Sequence, residues 1–171
     1  SYQQEYYYNT IAVQSSSGYA FRLYGSTLTT FNLHYENNNF VAPGGGYAVY
    51  YESNAYPGIT ADYNNYYSST AFGYYGTAIS DLATWQAATT MDGNSLNSKP
   101  NFVSVSDLHV ISGDINGMAN PNHILIDIDG DVRNVSSPDM GADEFDPPAK
   151  EAGLLAVTSP IQQCGLGQEA V

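Results

Sequence analysis

Asp127, Asp129 and Asp131 alternate along the chain, and their spacing suits cation chemistry. On a strand, alternation puts three carboxylates on one face. In a loop they could wrap a hard cation such as Ca2+, which takes oxygen ligands. The segment is not an EF-hand loop: Gly130 sits between the second and third Asp, and no Glu follows at the twelfth position. A structural turn is the main reading, with Arg133 pairing to a nearby carboxylate, and a Ca2+ site is the alternative. No other cofactor is expected.

Tyrosine is the second group with chemistry to offer. There are 16 of them, in runs such as Tyr6-Tyr7-Tyr8, Tyr50-Tyr51, Tyr66-Tyr67 and Tyr74-Tyr75. On a strand one member of each pair faces in and the next faces out. An outward ladder that included Tyr50, Tyr66 and Tyr74 would stack on sugar rings and offer phenol hydrogen bonds. The competing reading is that the rings stack on one another and cover the flank of the fold.

Catalysis is poorly supplied. His34, His109 and His123 are isolated in sequence, and His109 reads as a packed, hydrogen-bonded residue. A lyase needs a base and cations for the substrate carboxylate, yet Arg22 is the single cation of the first half. A glycoside hydrolase needs converging carboxylates, and the repeats, residues 1–77, offer only Glu5, Glu36, Glu52 and Asp62. No catalytic residue is assigned, and the balance leans away from an enzyme.

The elements that must carry these residues repeat. Tyr8-Asn9-Thr10-Ile11, Asn37-Asn38-Asn39-Phe40 and Tyr63-Asn64-Asn65-Tyr66 share an Asn, with steps of 29 and 26 residues. Gly18-Tyr19-Ala20 and Gly46-Tyr47-Ala48 are offset by 28. Each unit offers two or three short strands that cannot bury an apolar face alone but can when stacked on a copy, as in a solenoid. Asn suits a fixed place in each unit because it tolerates left-handed backbone and its amides can bond down the stack. An antiparallel sandwich is the alternative.

After Tyr75 the texture changes. Residues 80–88 read as a short helix with Ser80 as N-cap and Leu82, Trp85 and Ala88 or Thr89 on one face. Ordered phrases follow: Leu82, Trp85, Gln86, Thr89, Asp92, Asn94 and Ser95, then Pro100-Asn101-Phe102-Val103, then Asp107-Leu108-His109-Val110. The chain then reaches Asp127-Ile128-Asp129-Gly130-Asp131-Val132-Arg133 and Pro138-Asp139-Met140-Gly141-Ala142-Asp143-Glu144-Phe145. This order resembles the C-terminal part of the right-handed parallel β-helix (pectate-lyase-like) repeat domains of secreted bacterial surface proteins, of the kind found in Bacteroidetes. The resemblance covers roughly residues 60–146, and departs from the family's pattern at Gly113–Ala119. It implies an all-β, right-handed parallel β-helix (solenoid) with one short helix and a C-terminal capping segment. Coils would occupy residues 1–77, and the last coil and cap residues 78–146. Residues 147–171 would be a linker and the start of an Ig-like module, in which Cys164 would pair beyond this chain.

Composition narrows the partners. Four basic residues stand against 17 acidic ones, a net charge of −13, which argues against nucleic acid and anionic membrane surfaces. No run of 18 apolar residues exists, so no membrane insertion is expected. The opening Ser1-Tyr2-Gln3, without Met, reads as mature or excised material. The expected function is a non-catalytic, secreted or cell-surface stalk, adhesin or filament segment that binds glycans. Its partners would be polysaccharide and neighbouring copies or adjacent domains. The alternative is the C-terminal part of a polysaccharide lyase or glycoside hydrolase with its site upstream.

Overall fold

The computed structural model describes residues 4–24, 32–54 and 56–147. Nine short strands come first: β1 (Gln4–Tyr7), β2 (Thr10–Ala12), β3 (Tyr19–Leu23), β4 (Leu33–Glu36), β5 (Asn39–Ala42), β6 (Tyr47–Tyr51), β7 (Ile59–Asp62), β8 (Asn65–Ser68) and β9 (Ala71–Tyr75). They form three parallel sheets, β1-β4-β7, β2-β5-β8 and β3-β6-β9, with β10 (Ala78–Ile79) antiparallel on β9. Each strand therefore pairs with the one three places on. The register sets Tyr19 against Tyr47, as the Gly-Tyr-Ala spacing predicts, and Tyr47 against Ala71. The chain is mostly β and its strand pairing is mainly parallel, which sets aside the antiparallel sandwich.

The Asn repeat marks the bend between the first and second strand of each unit. Asn9 N–H and Nδ2 donate to Asn38 Oδ1 at 3.0 and 2.8 Å, and Asn38 N–H and Nδ2 donate to Asn64 Oδ1 at 3.0 Å each. Asn64 N–H then donates to Ser95 Oγ at 2.9 Å. A second pair runs beside it, Asn65 Nδ2 donating to Asn39 Oδ1 at 2.9 Å. The left-handed backbone falls one residue earlier than the repeat suggests, at Tyr8 (φ 53°), Asn37 (φ 63°) and Tyr63 (φ 52°). Asn38 and Asn64 are there for their amides, whose oxygens accept the backbone N–H of the Asn one unit earlier, and not for their own φ.

The core between the sheets is aromatic: Tyr35, Tyr51, Tyr66, Phe40, Phe72 and Trp85 pack with Leu33, Val49 and Ile79. The short helix α1 (Leu82–Thr89) presses Trp85 and Thr89 inward. Asp81 caps it, accepting Thr84 N–H at 2.8 Å, while Ser80 donates its hydroxyl to Asp81. The predicted Ser80 cap is thus one residue early: the carboxylate, itself held by Ser80, takes the unpaired N–H of the first turn.

Beyond α1 the chain forms a small hairpin, β11 (Asn101–Phe102) against β12 (Val110–Ser112), and continues largely without regular structure to 147. Leu96 bridges Asn65 in parallel beside β8, exchanging backbone hydrogen bonds with Tyr66 and Asn64 at 2.9 and 2.8 Å, and the chain beyond then runs back along a flank. Ala142 N–H donates to Thr10 Oγ1 at 2.9 Å, and Asn120 exchanges bonds with Asn37 at 2.7 and 2.8 Å. Gly141, at φ +103°, admits this approach, since a Cβ there would lie 2.5 Å from Thr10 Oγ1. A second apolar cluster (Tyr8, Val110, Ile115, Ala119, Met140 and Phe145) seals the contact. The expected linker, Ig-like strand and Cys164 lie outside the described residues.

Candidate functional site

Two exposed arrangements carry the candidate residues. The first is on the half-exposed side of β3-β6-β9. Tyr50 and Tyr74 stack with centroids 4.6 Å apart and planes 11° apart, and Tyr19 and Tyr47 lie parallel at 6.0 Å. Tyr19 meets Tyr50 edge-on at 4.6 Å, joining the pairs into one patch. The Arg22 guanidinium lies 4.7 Å from the Tyr19 ring, 4.6 Å from Tyr24 and 5.6 Å from Tyr50. Such packing fixes the rings and holds a cation among them.

Tyr66 does not belong to that face. It is fully buried, and its hydroxyl donates to Asp92 at 3.0 Å and lies 3.3 Å from the Tyr35 hydroxyl. Tyr66 is the inward member of the Tyr66-Tyr67 pair, packed in the aromatic core, while Tyr67 is partly exposed. Burial pushes the phenols of Tyr35, Tyr51 and Tyr66 well above their ordinary range.

The second arrangement contains part of the aspartate triplet. Asp127 Oδ1 accepts the N–H groups of Asp129 and Asp131 at 2.9 and 2.8 Å, and Oδ2 accepts Glu144 N–H at 3.0 Å. It closes a tight turn through Gly130 (φ +91°). Burial tends to raise its pKa, but the N–H groups of Glu144, Asp131 and Asp129 outweigh this and hold the carboxyl below its usual range. Arg133 takes the structural role expected of it. It lies 3.4 Å from Glu144, donates to the carbonyls of Gly141 and Ala142, and sits 4.0 Å over the Tyr8 ring.

Asp129 points away from that turn, to His109. Its Oδ2 lies 2.8 Å from His109 Nε2, while Asp107 Oδ1 lies 2.5 Å from Nδ1. Asp143 completes the group, its Oδ2 accepting Val110 N–H at 2.6 Å. The imidazole is half exposed, not packed, and its hydrogen bonds to Asp107 and then to Asp129 lift its pKa to about 9. The sequence missed this meeting of His109, Asp107, Asp129 and Asp143. The Asp107-x-His109 pair was visible, but no spacing rule connects it to residues 20 and 34 positions later.

The carboxylates of the strands are otherwise engaged. Glu36 accepts from Asn120 and meets His34, and Asp62 accepts Tyr63 N–H, Asn94 N–H and Asn94 Nδ2. No known family, curated protein or solved structure matches the chain.

Proposed function

We propose that this chain is a non-catalytic segment of a secreted or cell-surface protein, a stalk or adhesin whose tyrosine face binds polysaccharide. The three parallel sheets are read as the faces of a right-handed parallel β-helix of the kind its sequence phrases resemble. Pairing of every strand with the third one on supports that reading, because it repeats one unit along an axis. The observation that carries the binding role is the Tyr50–Tyr74 stack, continued by Tyr19 and Tyr47 across the outer side of β3-β6-β9. Rings held in place before a ligand arrives lose little conformational freedom on binding. Sugar C–H faces would lie along the ring edges and faces, and Arg22 would donate to hydroxyl or carboxylate oxygens.

A non-catalytic role fits the carboxylates. Glu36 and Asp62 spend their lone pairs on structural donors, and neither is placed as a free acid opposite a second one. The test is native affinity electrophoresis of the whole chain in gels containing a neutral β-glucan, a xylan or polygalacturonate. Retardation in at least one gel, lost in a Tyr50→Ala/Tyr74→Ala variant that melts like the parent, is expected. Migration unaffected by all three polymers would reject the glycan role. Shortening of a polymer would favour the polysaccharide-degrading alternative instead.

A further inference from the structure

His109, Asp129 and Asp143 each turn a donor atom toward the others, and all three atoms lie within 4.8 Å of one another. The three residues also line one recess of about 440 Å3, together with Tyr8, Asn9 and Thr10. We propose that His109 Nε2, Asp129 and Asp143 bind a divalent transition-metal ion, leaving the recess side open for water or an added ligand.

The donor set selects the class of ion. Ca2+ and Mg2+ are held by oxygens alone, whereas an imidazole with two carboxylates suits Zn2+, Fe2+, Ni2+ or Cu2+. Asp127 would have had to join an all-oxygen site, but both its oxygens are committed to backbone N–H groups. The group around the ligands is the one such ions require. A histidine ligand donates its other N–H to a carboxylate, which fixes the tautomer and makes the metal-facing nitrogen a better base. Asp107, at Nδ1, occupies that place. Asp143 is likewise oriented by Val110 N–H, which donates to its Oδ2 at 2.6 Å.

Ligand spacing is compatible with a modest closure. Zn–N and Zn–O bonds of about 2.0–2.2 Å would require the imidazole and the Asp129 carboxylate, now in direct hydrogen bond, to part slightly around the ion. Both side chains are about half exposed, so that movement disturbs no packed atom. The closing proton balance is simple: the proton shared between Nε2 and Asp129 leaves to solvent as the ion takes its place.

The experiment uses the whole chain, stripped with chelator and dialysed against Zn2+, Ca2+ or Co2+ at neutral pH, with bound metal counted. His109→Ala and Asp129→Asn serve as variants; both change half-exposed side chains, and thermal melts in chelator confirm that they fold. One Zn2+ per chain that either variant loses, with Ca2+ not retained, is expected. Asp107→Asn should bind Zn2+ about 10–100-fold more weakly. Bound Co2+ should give visible d–d absorption that His109→Ala abolishes. Absence of Zn2+ binding, or Zn2+ binding equal in parent, His109→Ala and Asp129→Asn, overturns the proposal. Retention of Ca2+ through Asp129 with His109 dispensable would overturn it as well.

Discussion

Asp92 and Asp129 are both carboxylates beside an aromatic or imidazole nitrogen, and they have opposite fates. Asp92 is 1% exposed. Its oxygens accept from Ser95 Oγ at 2.6 Å, Trp85 Nε1 at 2.8 Å, Tyr66 OH at 3.0 Å and Asn64 Nδ2 at 3.3 Å. Burial raises its pKa against all four donors. Asp129 instead shares a single imidazole with Asp107 in the open. A buried carboxylate must spend every lone pair on the protein's own donors, and is then unavailable to anything else. An exposed one keeps lone pairs in reserve. Acidic residues in this chain thus divide by their partners, not by their local density in the sequence.

The sharpest way to break that contrast is Asp92→Ala. It strands four donors at the junction of the Asn ladder, the aromatic core and α1, and should cost about 3–5 kcal/mol in urea denaturation. A cost as small as that of a surface change would remove the distinction. Next is Asn38→Ala, which cuts the ladder at its fully buried middle member and should cost roughly 2–3 kcal/mol; Asn9→Ala, at the exposed end, should cost well under half as much.

A smaller effect separates the flank from both. Burial lifts the Asp139 carboxyl to about 6, against the N–H groups of Phe145 and Gly117 that lower it. Because this native value lies above the unfolded one, the folded state binds the extra proton between about pH 4 and 6. Its stabilising contribution is complete below that window and is lost as pH rises through 6. Discounted for solvent screening, acidification from pH 7 to 5 should gain about 1 kcal/mol, read as a higher Tm that Asp139→Asn does not show. The smallest effect is expected at the open cluster: in chelator, His109→Ala and Asp107→Ala should melt with the parent, because exposed ion pairs contribute little.

The two regions were also unequally legible. The strand units announced themselves through Asn and Gly-Tyr-Ala spacing because stacking demands an amide and a small residue at fixed places. Only the third copy of the Gly-Tyr-Ala piece escaped, since Gly73 and Phe72 replace Val49 and Ala48 where Trp85 closes over the sheet. The phrase holding Trp85, Asp92 and Ser95 was readable as a unit and proved to be one hydrogen-bonded knot. Left-handed Tyr8 and Tyr63 were not foreseeable from preference, because β-rich aromatic residues are held there by the bends around them. The flank was hidden for a different reason: Thr10 and Ala142 touch across 132 positions, and no local pattern encodes so distant a partner.

That same contact imposes an order of events during synthesis. The strands up to Ala42 leave the ribosome with Thr10 and Asn37 lacking their partners on the flank. Another hundred residues must follow before Ala142 arrives, about 5–20 s at ordinary elongation rates. During that interval each new unit can stack on the last, so the sheets grow in the direction of translation. The flank is added after the strands, and it fastens later residues onto earlier ones.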